Sequence, residues 1–453
     1  MPDSALRDPR DKLRPALSLQ DAVFLVVASV VGSGIFLTPG EIADRLPHAG
    51  LIFAAWLVGA ALSFAGALAN AELGAMFPNA GGDYVYLRRA FHPLAGFIVG
   101  WITFFAIFAG TVATLAVGFA GRVGAMYGWA LPNVLLFAAL TTLACTWLNV
   151  AGVKYGAWAN NITGYVKVIA LFAFGLVAPF TGRGDVANLT PIFAGASSAA
   201  GLGDFALAMS PVLFSYLGWN AAIYVASEIK EPQRNLPRSL FLGLALCAAI
   251  YIVINAVYLY ALPLAELRSV DDVGRATATI LFGEIGGKLI SGFVLISILG
   301  TLNATILVGA RIAYAMALDG LFVPGVEKVH ERFATPAIAL WLQAAVSIAI
   351  VALLQTYPGA LDFTTFAILL ATSADVLGLY ALRIREPQLA RPYRAWGYPV
   401  VPALYLVANL AIAISLLFGS PRPALVSLGV SAISVPFYFL FSRLRTARAQ
   451  EAA

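Results

Sequence analysis

The chain has 453 residues, 60% of them hydrophobic and only 11% charged, with a formal net charge of +5. A soluble domain is usually about one quarter charged, so this balance excludes a soluble globular protein and points to one built around lipid. No basic tract is long enough to bind nucleic acid, and Cys145 and Cys247, each inside an apolar run, offer neither a disulfide framework nor a metal site.

In chain order, residues 1–18 carry Asp3, Asp8 and Asp11 and lack an apolar core ahead of a small-residue cleavage site, which predicts a cytoplasmic tail and no signal peptide. Crossing a hydrocarbon layer about 30 Å thick takes about 20 apolar residues in a helix. Twelve such spans are predicted, over 19–46, 49–77, 91–121, 133–151, 156–180, 203–230, 239–262, 286–318, 336–356, 360–383, 399–418 and 423–442. The fold class is thus all-α integral membrane, with one transmembrane domain over 19–443 and a second cytoplasmic tail over 444–453. With the N-terminus inside, 19 Lys and Arg fall on the cytoplasmic side and 7 on the other, while Lys167 and Arg311 lie within spans. The positive-inside rule then places both termini in the cytoplasm of a multi-pass cell-membrane protein.

Two spans are interrupted. Span 1 holds Val30-Val31-Gly32-Ser33-Gly34-Ile35-Phe36 about halfway along, and span 6 holds Pro211 and then Phe214-Ser215-Tyr216-Leu217-Gly218-Trp219-Asn220. Each glycine costs a helix about 1 kcal/mol relative to alanine, so both stretches are expected to unwind. Irregular backbone at membrane depth must be buried in protein or line a polar cavity. Spans 1 and 6 are five apart, as expected if 19–180 and 203–383 are inverted five-helix repeats whose broken first helices meet, with spans 11 and 12 (399–442) added.

The chemistry of such a meeting point follows from the backbone. Gly32, Ser33, Gly34 and Ile35 open a half-helix whose amide N–H groups and positive dipole end welcome a carboxylate. Carbonyls beside Val30 and at Phe214, Ser215 and Leu217 would accept hydrogen bonds from an ammonium, with Gly218 and Asn220 completing the second break. The sum binds a zwitterion. The competing reading is that the glycines only let helices pack closely.

Gly-Ser-Gly-Ile-Phe in span 1, Ala71-Glu72-Leu73-Gly74 leading through Pro78 to Gly81-Gly82-Asp83-Tyr84-Val85-Tyr86-Leu87, Phe214 to Asn220, and Arg391-Pro392-Tyr393-Arg394 with Gly397-Tyr398-Pro399 follow in order along the chain. From about Leu17 onward the sequence resembles the amino acid-polyamine-organocation superfamily, within it the L-type amino acid transporters and their bacterial relatives. That resemblance implies a sodium-independent carrier of amino acids, neutral L-amino acids first, working as an exchanger or proton-coupled symporter. It gives the carboxylate to the backbone of Ser33 and Gly34, the amine to carbonyls near Val30, Phe214 and Leu217, and an outer gate to Phe214. Leu217 stands where the family often has a small residue, which counts against large aromatic substrates.

Lys167 lies in a helix otherwise almost wholly apolar, where a lysine costs about 2.5–3.5 kcal/mol and needs compensation. By the resemblance its ammonium lies against the unwound part of span 1 and takes the place of a sodium ion. Snorkelling towards the cytoplasmic end is the alternative. Tyr251 and Asn255, in Tyr251-x-x-x-Asn255-x-x-Tyr258, resemble the family pattern of groups that bond towards the site, and Tyr251 joins Lys167 and Phe214 as a coupling or gating residue. Asn303 and Thr305 suit interhelical hydrogen bonds. Asp375 is an intramembrane acid, hence either functional or paired with a base such as Arg383. Glu72 and Arg311 read as ion-pair formers, and His48, His92 and His330 as solvated residues without metal-ligand spacing.

No nucleophile, acid–base pair or metal cluster suggests an enzyme, and no cofactor is implied. A polyamine or organic cation permease of the same fold is the main alternative. It would want acidic side chains at the pocket, whereas 24–40 and 205–224 contain none, Asp204 lying just outside. A non-transporting sensor is a remoter one, since short loops leave no room for an output domain. Some animal relatives in the L-type group join an accessory glycoprotein through a cysteine in the loop after span 3. The corresponding loop here, Arg122 to Asn133, has no cysteine, so no disulfide-linked subunit is expected and any homo-oligomer would be non-covalent.

Overall fold

A computed structural model describes residues 8–190, 201–268, 270, 272–354 and 357–451. Of the expected tails, residues 1–7 and 452–453 lie outside the described residues. The described chain is helical, with no strand beyond a single parallel bridge between Leu17 and Ile229.

Among the described residues, nine helices are long and apolar enough to span a bilayer, one further crossing is a bent pair, and Leu202–Tyr216 and Ala337–Ala352 are shorter apolar helices. In chain order they are α1a (Leu19–Val30) and α1b (Gly34–Arg45), α2 (Ala49–Met76), α3 (Pro93–Tyr127), α4 (Leu131–Val150), α5 (Val153–Val177), α6a (Leu202–Tyr216) and α6b (Ala221–Tyr224). Then come α7 (Pro232–Ala261), α8 (Val273–Leu318), α9 (Ala337–Leu354), α10 (Tyr357–Arg385), α11 (Val400–Gly419) and α12 (Pro421–Glu451). Helices α3 and α8 bury 83% of their most apolar stretch inside the protein, against 17% for α4 and α12. The first two therefore form the inner scaffold. The outer ones turn residues such as Leu136, Leu140 and Trp147 outward, the pattern of a lipid-facing surface.

Helix α1 starts where Ser18 caps it: the Ser18 Oγ accepts from Asp21 N–H at 3.3 Å and the Asp21 carboxylate accepts from Ser18 N–H at 2.7 Å. The helix breaks at Val31–Ser33 and bends by 42°. Helix α6 breaks at Leu217–Asn220, where Leu217 is extended and Gly218 adopts φ +97°. Both breaks fall in the stretches whose glycines predict them.

Several boundaries differ from the sequence expectation, and helix α7 begins at Pro232 rather than 239 and α3 runs on to Tyr127 rather than 121. Beyond its break, span 6 continues only as the single turn α6b and the 3-10 turn Ala226–Glu228, not as a helix to 230. Helix α8 begins at Val273 rather than 286, bent at Gly283 (φ +75°). Asp83–Ala90 is a separate short helix ahead of α3, its polar Asp-x-x-x-x-Arg-Arg composition held by packing rather than by an apolar run. Helix α12 continues to Glu451, through most of the stretch expected to be a tail.

The face bearing the N-terminal segment is tied shut. Ala16 and Leu17 N–H both donate to Glu228 O at 2.8 Å, and Lys230 N–H donates to Leu17 O at 2.8 Å. Glu228 pairs with Arg311 at 2.8 Å, both side chains 1% exposed. Asp319 takes Arg10 at 2.8 Å, Tyr84 O–H at 2.6 Å and Arg88. On the opposite face Arg122 meets Asp272 at 2.7 Å and Arg268 Nε donates to Ala43 O at 3.0 Å.

Candidate functional site

Where α1 unwinds, its carbonyls turn inward and need donors. Helix α5 supplies one: the fully buried Lys167 Nζ donates to Ala28 O at 3.1 Å, Val31 O at 2.5 Å and Thr301 Oγ1 at 2.9 Å. Three donors meet three acceptors, so the ammonium has no need to snorkel. Helix α8 completes the cage. Ser297 Oγ lies 3.1 Å from Val31 O, and Thr301 Oγ1 lies 2.8 Å from Ala28 O and 3.0 Å from Val31 O. These carbonyls belong to the C-terminal end of α1a, the negative end of its dipole, where a fixed cation is favoured.

Tyr251 of α7 joins the two breaks. Its hydroxyl lies within donor distance of Val30 O, at 2.9 Å, and of Ser215 O, at 2.7 Å. Its ring is held edge-on by Trp56 and Tyr216. The Phe214 carbonyl already accepts from Leu217 N–H at 3.0 Å. Three of the carbonyls expected to meet an ammonium, at Val30, Phe214 and Ser215, are therefore engaged inside the protein in this structure. Gly32 N–H also folds back, onto Val30 O at 2.9 Å.

The half-helices press together. A Cβ on Gly34 would lie 2.8 Å from Ser215 Cα, and one on Gly218 would lie 2.7 Å from Ser29 Cβ. Thr38 Oγ1 donates to Gly34 O at 2.9 Å and lies 3.1 Å from Ser215 Oγ. Ser33 stands at the N-cap position of α1b without a side-chain capping bond and Ile35 is buried in its first turn, so Gly34 and Ile35 N–H occupy helix positions that have no intrahelical acceptor.

Beside the second break lies a cavity of about 30 Å³. Leu217, Gly218 and Asn220 line it from α6, Ser29 from α1a, Ile107, Phe108 and Thr111 from α3, Thr305 from α8, and Ile368 and Thr372 from α10. Ser29 Oγ and Thr111 Oγ1 are buried there without a partner among the described residues. Asp83 also lines it, so the carboxylate missing from 24–40 and 205–224 arrives from the short helix instead. Its Oδ2 accepts from Tyr224 O–H at 2.7 Å, and Tyr224 in turn accepts from Asn220 Nδ2 at 3.1 Å.

Sequence reasoning singled out Lys167 and Tyr251 but missed Ser297 and Thr301. The signal was weak, since a helical Ser or Thr usually bonds its own backbone four residues back, as Thr305 does onto Thr301 O at 2.7 Å. Asn255 turns to Tyr251 O at 2.8 Å rather than to the site. Asn303 bridges helices, its amide bonding Asn160 Oδ1 and its carbonyl accepting from Asn149 Nδ2, each at 2.7 Å. Arg383 pairs with Glu72 at 2.6 Å, which leaves Asp375 without that partner. His92 and His330 accept backbone N–H groups through Nδ1. No metal-holding group of three or more His, Cys, Asp or Glu occurs among the described residues.

The family profile described as "Amino acid permease" matches residues 17–441. The chain is 30% identical over 435 residues to the Serine/threonine exchanger SteT of Bacillus subtilis (strain 168), covering 94% of this chain and 97% of that protein. It is 28% identical over 447 residues to Asc-type amino acid transporter 1 of Mus musculus (95% and 82% covered). It is also 28% identical over 436 residues to Large neutral amino acids transporter small subunit 2 of the same animal (94% and 81%). The match runs from the bridge residue Leu17 into α12 and spans both broken helices and the lysine cage, and on that evidence the chain belongs to the amino acid permease family of membrane transporters.

Proposed function

We propose that the protein exchanges small neutral L-amino acids across the cell membrane without sodium, by alternating access. The two five-helix repeats, about 19–180 and 203–383, move about a site at the α1 and α6 breaks. The observation that carries this reading is the Lys167 cage. An ammonium bonded to Ala28 O, Val31 O and Thr301 Oγ1 supplies a fixed positive charge where a coupling cation would otherwise sit. Backbone N–H at Ser33, Gly34 and Ile35 takes the substrate carboxylate, and rotation of Tyr251 frees Val30 O and Ser215 O for the amine. Phe214, buried above the second break, acts as the outer gate.

Size and polarity of the pocket favour a short side chain. The cavity of about 30 Å³ is walled by Leu217, Ile107 and Phe108, and its unpaired Ser29 and Thr111 hydroxyls suit a hydroxymethyl group. The similarity to a serine/threonine exchanger agrees with this. The basic-residue asymmetry supports an orientation with both termini in the cytoplasm.

The test is counterflow in proteoliposomes loaded with serine, using a panel of radiolabelled amino acids and their decarboxylated amines. Serine, threonine and alanine are expected to exchange equally well in sodium and in choline, with tryptophan and the amines poor. Strict sodium dependence, or amines competing as well as amino acids, would replace this reading with a symporter or an organic cation permease.

A further inference from the structure

A second polar centre borders the substrate cavity, which Asp83 lines, and is not used by the reading above. Asp83, at the start of the short helix, and Asp375, on α10, are 1% and 0% exposed, and their carboxyl groups face each other. Asp83 Oδ1 and both Asp375 oxygens lack a hydrogen-bond partner of good geometry among the described residues. Two equally buried polar atoms without partners are aimed into the same place: Asn70 Nδ2 from α2 towards Asp375, and Thr103 Oγ1 from α3 towards Asp83. Thr103 opens a π-helical turn, Thr103–Phe108, a local distortion often found at functional sites.

The other titratable groups around the pair are tyrosines: Tyr86 of the short helix, Tyr224 of α6b and Tyr405 of α11. No Lys, Arg or His faces it among the described residues. The nearby bases are taken, Arg383 and Arg391 by Glu72 and Arg88 by Asp319. Two carboxylates that share a buried site without a cation do not both ionise; one keeps its proton and donates it to the other. The same polar groups built around a fixed cation would be a salt bridge, but around two acids they make a holder for one proton.

A hydrogen-bonded path connects this centre to the moving part of the site. Asp83 Oδ2 accepts from Tyr224 O–H at 2.7 Å, which accepts from Asn220 Nδ2 at 3.1 Å, in the α6 break itself. The same turn is latched by Gly81 N–H donating to Tyr224 O at 3.2 Å. A Cβ on Gly82 (φ +48°) would lie 2.6 Å from the Tyr224 ring, so the short helix and α6b are closely packed in this state.

We propose that Asp83 and Asp375 form a proton-binding pair, wired through Tyr224 and Asn220 to the break in α6, that makes amino acid exchange depend on pH. The step is a simple one: a proton from water joins one carboxylate of the pair when α6b is latched, and leaves when Tyr224 withdraws. This rests on the transport reading, and the test separates the two. Asp375→Asn keeps the singly protonated pair's net charge of −1 and supplies an N–H donor to Asp83, yet has no acidic proton to lose.

Infrared spectra of the purified protein in D2O read the proton directly, whether or not transport works. At neutral pH the wild type should show the C=O stretch of a protonated carboxylic acid, shifted by 13C labelling of the aspartate carboxyls and lost in Asp375→Asn. The isotope shift decides the point even if the variant fails to fold. In proteoliposomes, wild-type exchange should fall as pH rises past the pair's titration, by up to about tenfold per pH unit for one proton. In Asp375→Asn that slope should vanish.

An absent acid band, or one unmoved by aspartate labelling, overturns the proposal. So does the band together with pH-independent exchange in the wild type. Retention of 22Na+ that Asp375→Asn abolishes would assign the pair to a metal cation instead, and also overturns it. Failure of any amino acid to exchange overturns the transport reading alone, with the infrared result left standing.

Discussion

At the scale of single residues, Lys167 is where electrostatics and transport meet. Truncating it removes the ammonium from Ala28 O, Val31 O and Thr301 Oγ1 and leaves the two carbonyls only the Ser297 and Thr301 hydroxyls, in a fully buried site. Hydrogen bonds to a charged group contribute about 1.5–3 kcal/mol each, and the carbonyls of the α1 break would be left with neutral hydroxyl donors alone. Lys167→Ala is therefore expected to lower exchange by at least about tenfold, the effect of about 1.4 kcal/mol on a rate. Initial rates of counterflow measure this, with the amount of folded protein matched between samples. The Glu228–Arg311 pair makes a different claim, on stability. Both side chains are buried, and removing one partner of such a pair costs about 3–5 kcal/mol, whereas replacing both by apolar groups is often neutral. Glu228→Ala should lower the thermal unfolding temperature in detergent markedly, and Glu228→Leu combined with Arg311→Met should recover most of the loss. Equal loss in the single and double variants would show that the charge pair is not the cause.

At the scale of elements, each break depends on a missing side chain. Gly34 lets α1b close on Ser215, since a Cβ there would lie 2.8 Å from Ser215 Cα, and Gly218 needs φ +97° as well as room beside Ser29. Gly34→Val is expected to abolish exchange, and Gly218→Ala to impair it severely through backbone strain. Ser33→Ala leaves the backbone intact and should keep more activity. Binding of serine followed by calorimetry distinguishes a lost site from a lost gate. These breaks were legible in the sequence because glycine and proline weaken a helix from within, and two apolar runs carry them near the middle. Lys167 was legible because a charge in such a run needs a partner. The partners were not: Ala28 and Val31 contribute only backbone, and Ser297 and Thr301 resemble any helical hydroxyl residue. Asp83 was read only as part of a motif, and its meeting with Asp375 depends on a short helix whose composition suggests a loop. Tertiary packing fixes that helix, and packing leaves no periodic trace in eight residues.

At the scale of the whole molecule, the question is whether this chain works alone. Similarity to Large neutral amino acids transporter small subunit 2 raises the matter of a second subunit, since that name describes one part of a larger assembly. A covalent partner needs a cysteine that an oxidising compartment can reach. The turn between α3 and α4 runs through Gly128 and Trp129 with no cysteine, Cys145 lies within α4, and Cys247 is fully buried in α7. Cys145 is only partly buried but lies inside a membrane-spanning helix, and bringing either thiol to an aqueous compartment would mean unwinding a helix in a medium that cannot satisfy its backbone. The inner scaffold is also complete within one chain: α3 and α8 are covered by this chain's own helices, and both breaks face residues of the same chain. The purified protein, reconstituted without any partner, is therefore expected to exchange serine at a rate that Cys145→Ser and Cys247→Ala leave nearly unchanged. Any self-association should disappear on dilution in detergent without reductant. Activity that returned only when a second membrane protein was supplied would show that the chain is one half of a carrier.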